Sequence, residues 1–227
     1  MAVTGTKAEF ASNGGTASGY LAAPTPGAGN GKGVIVIQEY WGLNDHVRSV
    51  AERFAAQGFL ALAPDLYHGK VTKSPDEAGR LLMALSIAQA EKDLRGAVAH
   101  LRGLIEGRGV ATVGFCMGGA LSLFAACTNG AAIRACVVYY GGHPKITYDF
   151  DGLKAPVLGH WAENDAFANA NIPKIEAALK PRGKPFMFHR YPGTRHGFFN
   201  DTRPEVYDQA AAQKSWERTL AFFNLYL

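Results

Sequence analysis

The sequence predicts an α/β domain with a mostly parallel central sheet, helices on both faces and a short antiparallel edge at its N-terminal end. Three observations carry this prediction. Apolar, β-branched runs such as Val34-Ile35-Val36-Ile37 read as strands covered on both faces. They alternate with segments whose apolar residues recur at helical spacing. Glycine, proline and asparagine clusters separate the two kinds of segment. Such alternation implies parallel strands joined by right-handed crossovers.

The elements follow in order. Lys7 to Ala11 and Gly19 to Ala22 flank Ser12-Asn13-Gly14-Gly15-Thr16, a hairpin signal that gives the antiparallel edge. After the Gly/Pro-rich loop Pro24 to Lys32, Gly33 to Gln38 is the central strand. Asn44 or Asp45 can cap a helix carrying Val47, Val50, Ala51 and Phe54, stopped at Gln57-Gly58. Phe59 to Ala63 is the next strand, and Leu66 to Ala78 is a long polar stretch. Leu94, Val98, Leu101 and Ile105 mark a second helix, closed near Gly107 to Gly109. There follow strand Val110 to Gly114, helix Met117 to Cys127, strands Ala135 to Tyr140 and Pro156 to Trp161, and a helix near Ile172 to Leu179. Strand Phe186 to Tyr191 and a last helix from Glu205 toward Phe223 complete the order. No linker or repeat divides the chain, so residues 1–227 are read as one domain.

Composition narrows the function. The chain has 227 residues, enough to bury roughly 70–75% of its unfolded surface without metal or disulfide staples. A net charge of +4 with no block of like charges gives no footprint for nucleic acid. The longest apolar runs fall far short of the roughly 20 residues of a membrane helix. The N-terminus lacks the basic and apolar regions of a secretory signal, so a cytoplasmic protein is expected. Cys116, Cys127 and Cys136 cannot all pair within one chain, and their spacing fits no common zinc pattern. Reduced thiols are expected, with no metal and no cofactor.

In an open parallel sheet, reactive groups collect in loops at the carboxyl ends of the strands. Gly114-Phe115-Cys116-Met117-Gly118-Gly119 follows one strand and opens an Ala-rich helix. This is a glycine-x-nucleophile-x-glycine elbow, with cysteine where serine is more usual. Side chains at positions 114 and 118 would collide with the strained turn or the neighbouring strand. Cys116 would stand at a helix N-terminus, whose dipole favours thiolate over thiol. A buried cysteine beside a tight turn would show the same short pattern, so the partners matter.

A thiol nucleophile needs a base and a group to orient that base, in the chain order nucleophile, acid, histidine. Ala162-Glu163-Asn164-Asp165 follows one strand and Pro192-Gly193-Thr194-Arg195-His196-Gly197-Phe198 follows another. Asp165 alone fits a helix cap, and Glu163 is its rival for the acid. Core packing does not account for His196. Together the three residues read as a Cys116, His196, Asp165 triad. His46, His100 and His189 lie within elements, while His68, His143 and His160 accompany no nucleophile pattern. Ser122, Cys127 and Cys136 read as packing residues.

The loop Gln38-Glu39-Tyr40-Trp41-Gly42-Leu43 follows the central strand. In α/β-hydrolases this loop gives one oxyanion-hole amide, and the residue after the nucleophile gives the other. The backbone N–H groups of Tyr40 and Met117 are the expected donors. An ionised Glu39 beside the thiol would oppose its deprotonation. Trp41, Tyr67, Tyr140, Phe198 and Phe199, with Tyr40, are expected to line a pocket for small, planar or cyclic acyl groups.

With these residues in place, the chain resembles the dienelactone hydrolase family over nearly its whole length. The matching pieces are Val34 to Gly42 (VIVIQEYWG), Ala63-Pro64-Asp65-Leu66-Tyr67, Val113 to Gly119 (VGFCMGG), Tyr139-Tyr140-Gly141, Asp165 and His196-Gly197-Phe198. The resemblance implies an α/β-hydrolase fold and a Cys-His-Asp triad that opens a lactone, enol lactone or small ester through an acyl-cysteine. It implies that Glu39 holds the resting thiol and releases it to the histidine when an anionic substrate binds. It also implies an arginine four residues after the histidine to grip a substrate carboxylate, where this chain has Asn200. Arg80, Arg195 and Arg203 are the candidate substitutes. The expected partner is a small-molecule ester or lactone, with the protein a monomer or homodimer. Two other classes are a non-catalytic binding protein on the same fold and a thiol redox enzyme. The latter lacks a resolving cysteine in the loop.

Overall fold

A computed structural model describes residues 3, 5–12, 14–105 and 109–227 of the chain. Asn13 of the expected hairpin turn and Gly107 and Arg108 of the expected helix stop lie outside the described residues. Eight strands form one sheet in the order β1-β2-β4-β3-β5-β6-β7-β8. β1 (Thr6–Ser12) and β2 (Gly15–Ala22) make the antiparallel edge, and β2 also meets β4 (Leu60–Pro64) antiparallel. From β4 onward the pairing is parallel, through β3 (Gly33–Ile37), β5 (Val110–Phe115), β6 (Ile133–Tyr139), β7 (Val157–Asn164) and β8 (Phe186–Arg195). β3 and β5 are buried at every position, as their continuous apolar runs require.

Helices cover both faces. α3 (Ile87–Leu104) and α4 (Met117–Asn129) pack together on one side. On the other, Phe54 of α1 (Asp45–Ala56) stacks against Trp216 and Phe223 of α7 (Gln209–Tyr226). Asn44 caps α1 by accepting from Val47 N at 3.1 Å, so the Asn44 alternative holds. Phe54 is fully buried, and its truncation to alanine is expected to cost about 3–5 kcal/mol.

Five elements depart from the sequence reading. A helix, α2 (Pro75–Ala84), starts inside the polar stretch after β4 and runs past that stretch's expected end at Ala78; it is capped by Ser74 and begun by proline and two acidic residues. Only Ala78 of α2 is buried, with Leu81 and Leu82 half-buried against the core, so its apolar stripe is short and weakly enclosed. A single-turn helix, α5 (Ala166–Asn169), precedes α6 (Ile172–Leu179). α7 starts at Gln209 rather than Glu205, because Asp208 accepts from Ala211 N and residues 197–208 are taken up by successive turns. Finally, β7 and β8 continue through the segments read as loops, and their last pair is Asn164 with Arg195 beyond a register shift. That extension sets up the site.

Candidate active site

Because Asn164 is paired with Arg195, the next residue on each strand, Asp165 and His196, emerges at the same sheet edge. His196 Nδ1 lies 2.5 Å from Asp165 Oδ2. The other carboxylate oxygen of Asp165 accepts from Ala168 N at 3.0 Å. Asp165 is therefore both a helix cap and the histidine's partner, and the two readings of it are compatible. Glu163 is exposed and accepts from Gly193 N.

Cys116 sits between β5 and α4 with φ +56° and ψ −120°, a region that costs a non-glycine residue of order 1–3 kcal/mol. Its surroundings over-determine it. Cys116 N donates to Tyr139 O at 3.1 Å, and Cys116 O accepts from Gly119 N at 3.0 Å and Gly142 N at 3.3 Å. A β-carbon at Gly114 would overlap the carbonyl of Gly118, and one at Gly118 would overlap the carbonyls of Ile37 and Gln38. The thiol is partly exposed.

Burial would favour a neutral His196 ring, but the charge on Cys116, the hydrogen bonds to Asp165 and Cys116 and the charge on Asp165 outweigh it. They push the imidazole up to about 11. The ring also packs against Tyr140, with centroids 4.9 Å apart. Among the described residues no backbone carbonyl accepts from the N–H of Tyr40 or of Met117, so both donors are free of backbone partners. Tyr67 lies beneath Met117, its hydroxyl 3.2 Å from the Met117 sulfur.

Glu39 is buried, and both carboxylate oxygens are engaged. Oε2 accepts from Asn200 Nδ2 at 2.7 Å and Oε1 from the Tyr140 hydroxyl at 3.4 Å. Burial first, then the charges of Glu39 and Cys116, hold the Tyr140 phenol well above its ordinary pKa. The Asn200 Oδ1 in turn accepts from Thr202 N and Oγ1, and neighbouring Asp201 meets His46 Nδ1 at 3.0 Å. The sequence reading noted Asn200 only as a missing arginine. Its contact with Glu39, 161 residues away, leaves no local signal.

The aromatic residues divide. A cavity of about 340 Å³ is lined by Trp41, Asn200, Lys73 and Arg203 among others. The Arg203 guanidinium lies 5.2 Å from the Trp41 ring centroid and pairs with Glu205. Phe198 and Phe199 are fully buried. Phe199 packs on Phe115, Tyr139 and Trp216, and Phe198 on Tyr140 and Tyr191. Both are core residues rather than pocket walls, which corrects the expectation from their place in the loop. Tyr140 is also fully buried and meets the site through its hydroxyl and ring edge. Arg80 and Arg195 are exposed on α2 and at the end of β8. No group of acidic, cysteine or histidine side chains among the described residues is arranged to hold a metal ion. None of their helices is long and apolar enough to cross a membrane.

The dienelactone hydrolase family model matches residues 17–227. The chain belongs to the dienelactone hydrolase family. It is 38% identical over 234 residues to "Protein usf" of Aquifex pyrophilus, covering 98% of this chain and 99% of that one. It is 30% identical to an Aquifex aeolicus protein named "Putative carboxymethylenebutenolidase", with the same coverage. A dienelactone hydrolase-like promiscuous phosphotriesterase from metagenomic libraries superposes with a TM-score of 0.89 at 24% identity, over 100% of this chain and 99% of that one, which speaks to the fold. The protein is thus an α/β-hydrolase-fold hydrolase of this family, and carboxylic ester hydrolysis is the class of reaction that fits.

Proposed function

We propose that this family member opens lactones, enol lactones or small esters through an acyl-cysteine intermediate, with residues 1–227 acting as one catalytic domain. Cys116 is the nucleophile, His196 the base and acid, and Asp165 the residue that fixes the imidazole. The observation that carries the proposal is the 2.5 Å His196–Asp165 contact beside a cysteine held at φ +56°.

The Cys116 sulfur attacks the carbonyl carbon, and the oxygen takes the electron pair while accepting from the N–H groups of Tyr40 and Met117. Collapse expels the alcohol oxygen, which takes the proton from His196. Water then attacks the thioester, giving its proton to His196, and the sulfur leaves as the thiolate, which restores the starting pair of thiolate and protonated imidazole. With Cys116 charged, the resting ring is pushed up to about 11 and carries the proton that the leaving alcohol takes; once the sulfur is acylated, that support is gone and the ring releases the proton more readily. These steps call for no cofactor. Glu39, held by Asn200 and Tyr140, restrains the resting sulfur.

The test is hydrolysis of p-nitrophenyl acetate and of an enol lactone panel in reducing buffer, with the acylated protein trapped at low pH for mass spectrometry. An adduct on the peptide containing Cys116, absent in Cys116→Ala, supports the proposal. Turnover that survives Cys116→Ala would overturn it.

A further inference from the structure

Six large apolar side chains stand exposed among the described residues, and Phe167 is the aromatic one. It is 56% exposed, although the Cys116 segment lies close by. A β-carbon built on Gly142 would meet three atoms of the Phe167 ring at 2.5–3.2 Å, so the ring occupies the space a side chain at 142 would need. Gly142 N donates to the carbonyl of Cys116 at 3.3 Å. The ring is therefore one residue removed from the nucleophile's own backbone.

Its position is fixed from two sides. Phe167 lies in α5, which Asp165 caps with one oxygen while holding His196 with the other. Asn171, at the junction of α5 and α6, donates to Gly141 O at 3.4 Å. Phe167 is thus tied through the backbone of α5 to the residue that holds His196, and its exposed ring contributes little to the core.

The sheet order tells which part of a substrate it meets. β3, which delivers Tyr40, lies on one side of β5, and β6, β7 and β8 lie on the other. The carbonyl oxygen turns toward Tyr40 and the leaving oxygen toward His196, so the group attached to that oxygen extends over α5. The cavity lined by Trp41 carries Arg203, Lys73, Asn44 and Thr202 as well, on the side where Asn200 meets Glu39. Resting on the acyl-cysteine reading above, we infer that Phe167 is a specificity-determining residue that forms an open apolar wall for the leaving alcohol, favouring apolar or aromatic alcohols.

Acetate esters of methanol, ethanol, phenol and 2-naphthol separate this role from a general one, because all form the same acetyl-cysteine. In Phe167→Ala, kcat/KM for the naphthyl ester relative to the methyl ester falls about tenfold from the wild-type ratio. Phe167→Leu recovers part of the ratio. The hydrolysis rate of the acetylated protein stays unchanged in both. An unchanged ratio, or an equal loss for every alcohol, overturns the inference while Cys116-dependent turnover persists. Absence of Cys116-dependent turnover in the wild type overturns both this inference and the proposed function.

Discussion

Two histidines on adjacent strands, His160 in β7 against Tyr139 and Tyr191 and His196 at the end of β8 against Tyr140, are held in opposite states. His160 is fully buried, with Nδ1 2.8 Å from the Tyr191 hydroxyl and Nε2 3.0 Å from Thr219 Oγ1. Burial, reinforced by the positive charges of His189 and Arg218, holds it well below its ordinary pKa. His196 feels burial too, but the anionic neighbours Cys116 and Asp165 carry it the other way. Burial opposes a proton on both rings, although the His196 side chain is 31% exposed. The charge of the neighbours decides which one carries a proton and which one is a neutral strut between hydroxyls.

The largest expected effect breaks the reactive cluster. Cys116→Ala or His196→Ala should each lower ester turnover by about a thousandfold or more if they have the proposed roles, because a nucleophile and its base act as a unit. Cys127→Ala and Cys136→Ala should leave turnover largely intact, and equal losses in all three cysteine variants would remove the assignment. Asp165→Asn should lose about one to two orders of magnitude less, since an asparagine oxygen can still cap α5. Steady-state kinetics on p-nitrophenyl acetate, with circular dichroism to check folding, would measure all of these.

Next is the strut. Thr219 Oγ1 lies 3.0 Å from His160 Nε2 and 2.9 Å from the Tyr139 hydroxyl. Thr219→Val strands both and should cost about 1–3 kcal/mol, read by urea denaturation, with kcat nearly unchanged. A large fall in kcat without loss of stability would mean that the strut belongs to the chemistry.

The two rings also pull stability in opposite directions with pH. His160, depressed in the fold, contributes stability that is fully present above its unfolded pKa of about 6.5. That stability is lost as pH falls through this value toward the folded one. His196, raised to about 11, contributes below about 6.5 and loses its contribution as pH rises toward 11. In Cys116→Ala the sulfur's charge is gone, so the imidazole should titrate below its wild-type position by NMR. An unshifted resonance would show that Asp165 alone sets it.

Legibility in the sequence followed burial. β3 and β5 are enclosed on both faces and read as strands from composition, and the spacing of Val47, Val50 and Phe54 marked α1. α2 buries only Ala78, and its signals are short: the Ser74-Pro75-Asp76-Glu77 start and a stripe of Ala78, Leu81 and Leu82. Cys116, Asp165 and His196 were legible because each follows its own strand. Asn200 and Tyr140 were not legible as partners of Glu39, since their contacts arise only when β3, β6 and the loop after β8 converge. Phe198 and Phe199 show the limit of reading a pocket from aromatic residues in a loop: the sequence names the loop, while the fold chooses which side chains turn inward. Phe167 lies in a one-turn helix too short to register as periodic.

The smallest expected effect tests whether Glu39 belongs with the reactive cluster or with the struts. Like His160, it is buried and held by neutral donors, Asn200 and Tyr140. Like Asp165, it is a carboxylate on the side of the site that holds the sulfur, since Glu39 and Cys116 both act on the Tyr40 and Tyr140 phenols. If it acts by charge, Glu39→Gln removes an anion that opposes thiolate formation, and iodoacetamide should alkylate Cys116 several times faster near neutral pH. If Glu39 instead takes the thiol proton, the same substitution should slow alkylation. The first outcome is favoured because a carboxylate, at about 4.3, is a weak base for a thiol whose ordinary value is about 8.5. Alkylation rates of wild type and Glu39→Gln that coincide between about pH 5 and 9 would place Glu39 among the struts, as a carboxylate that ties β3 to the loop carrying Asn200.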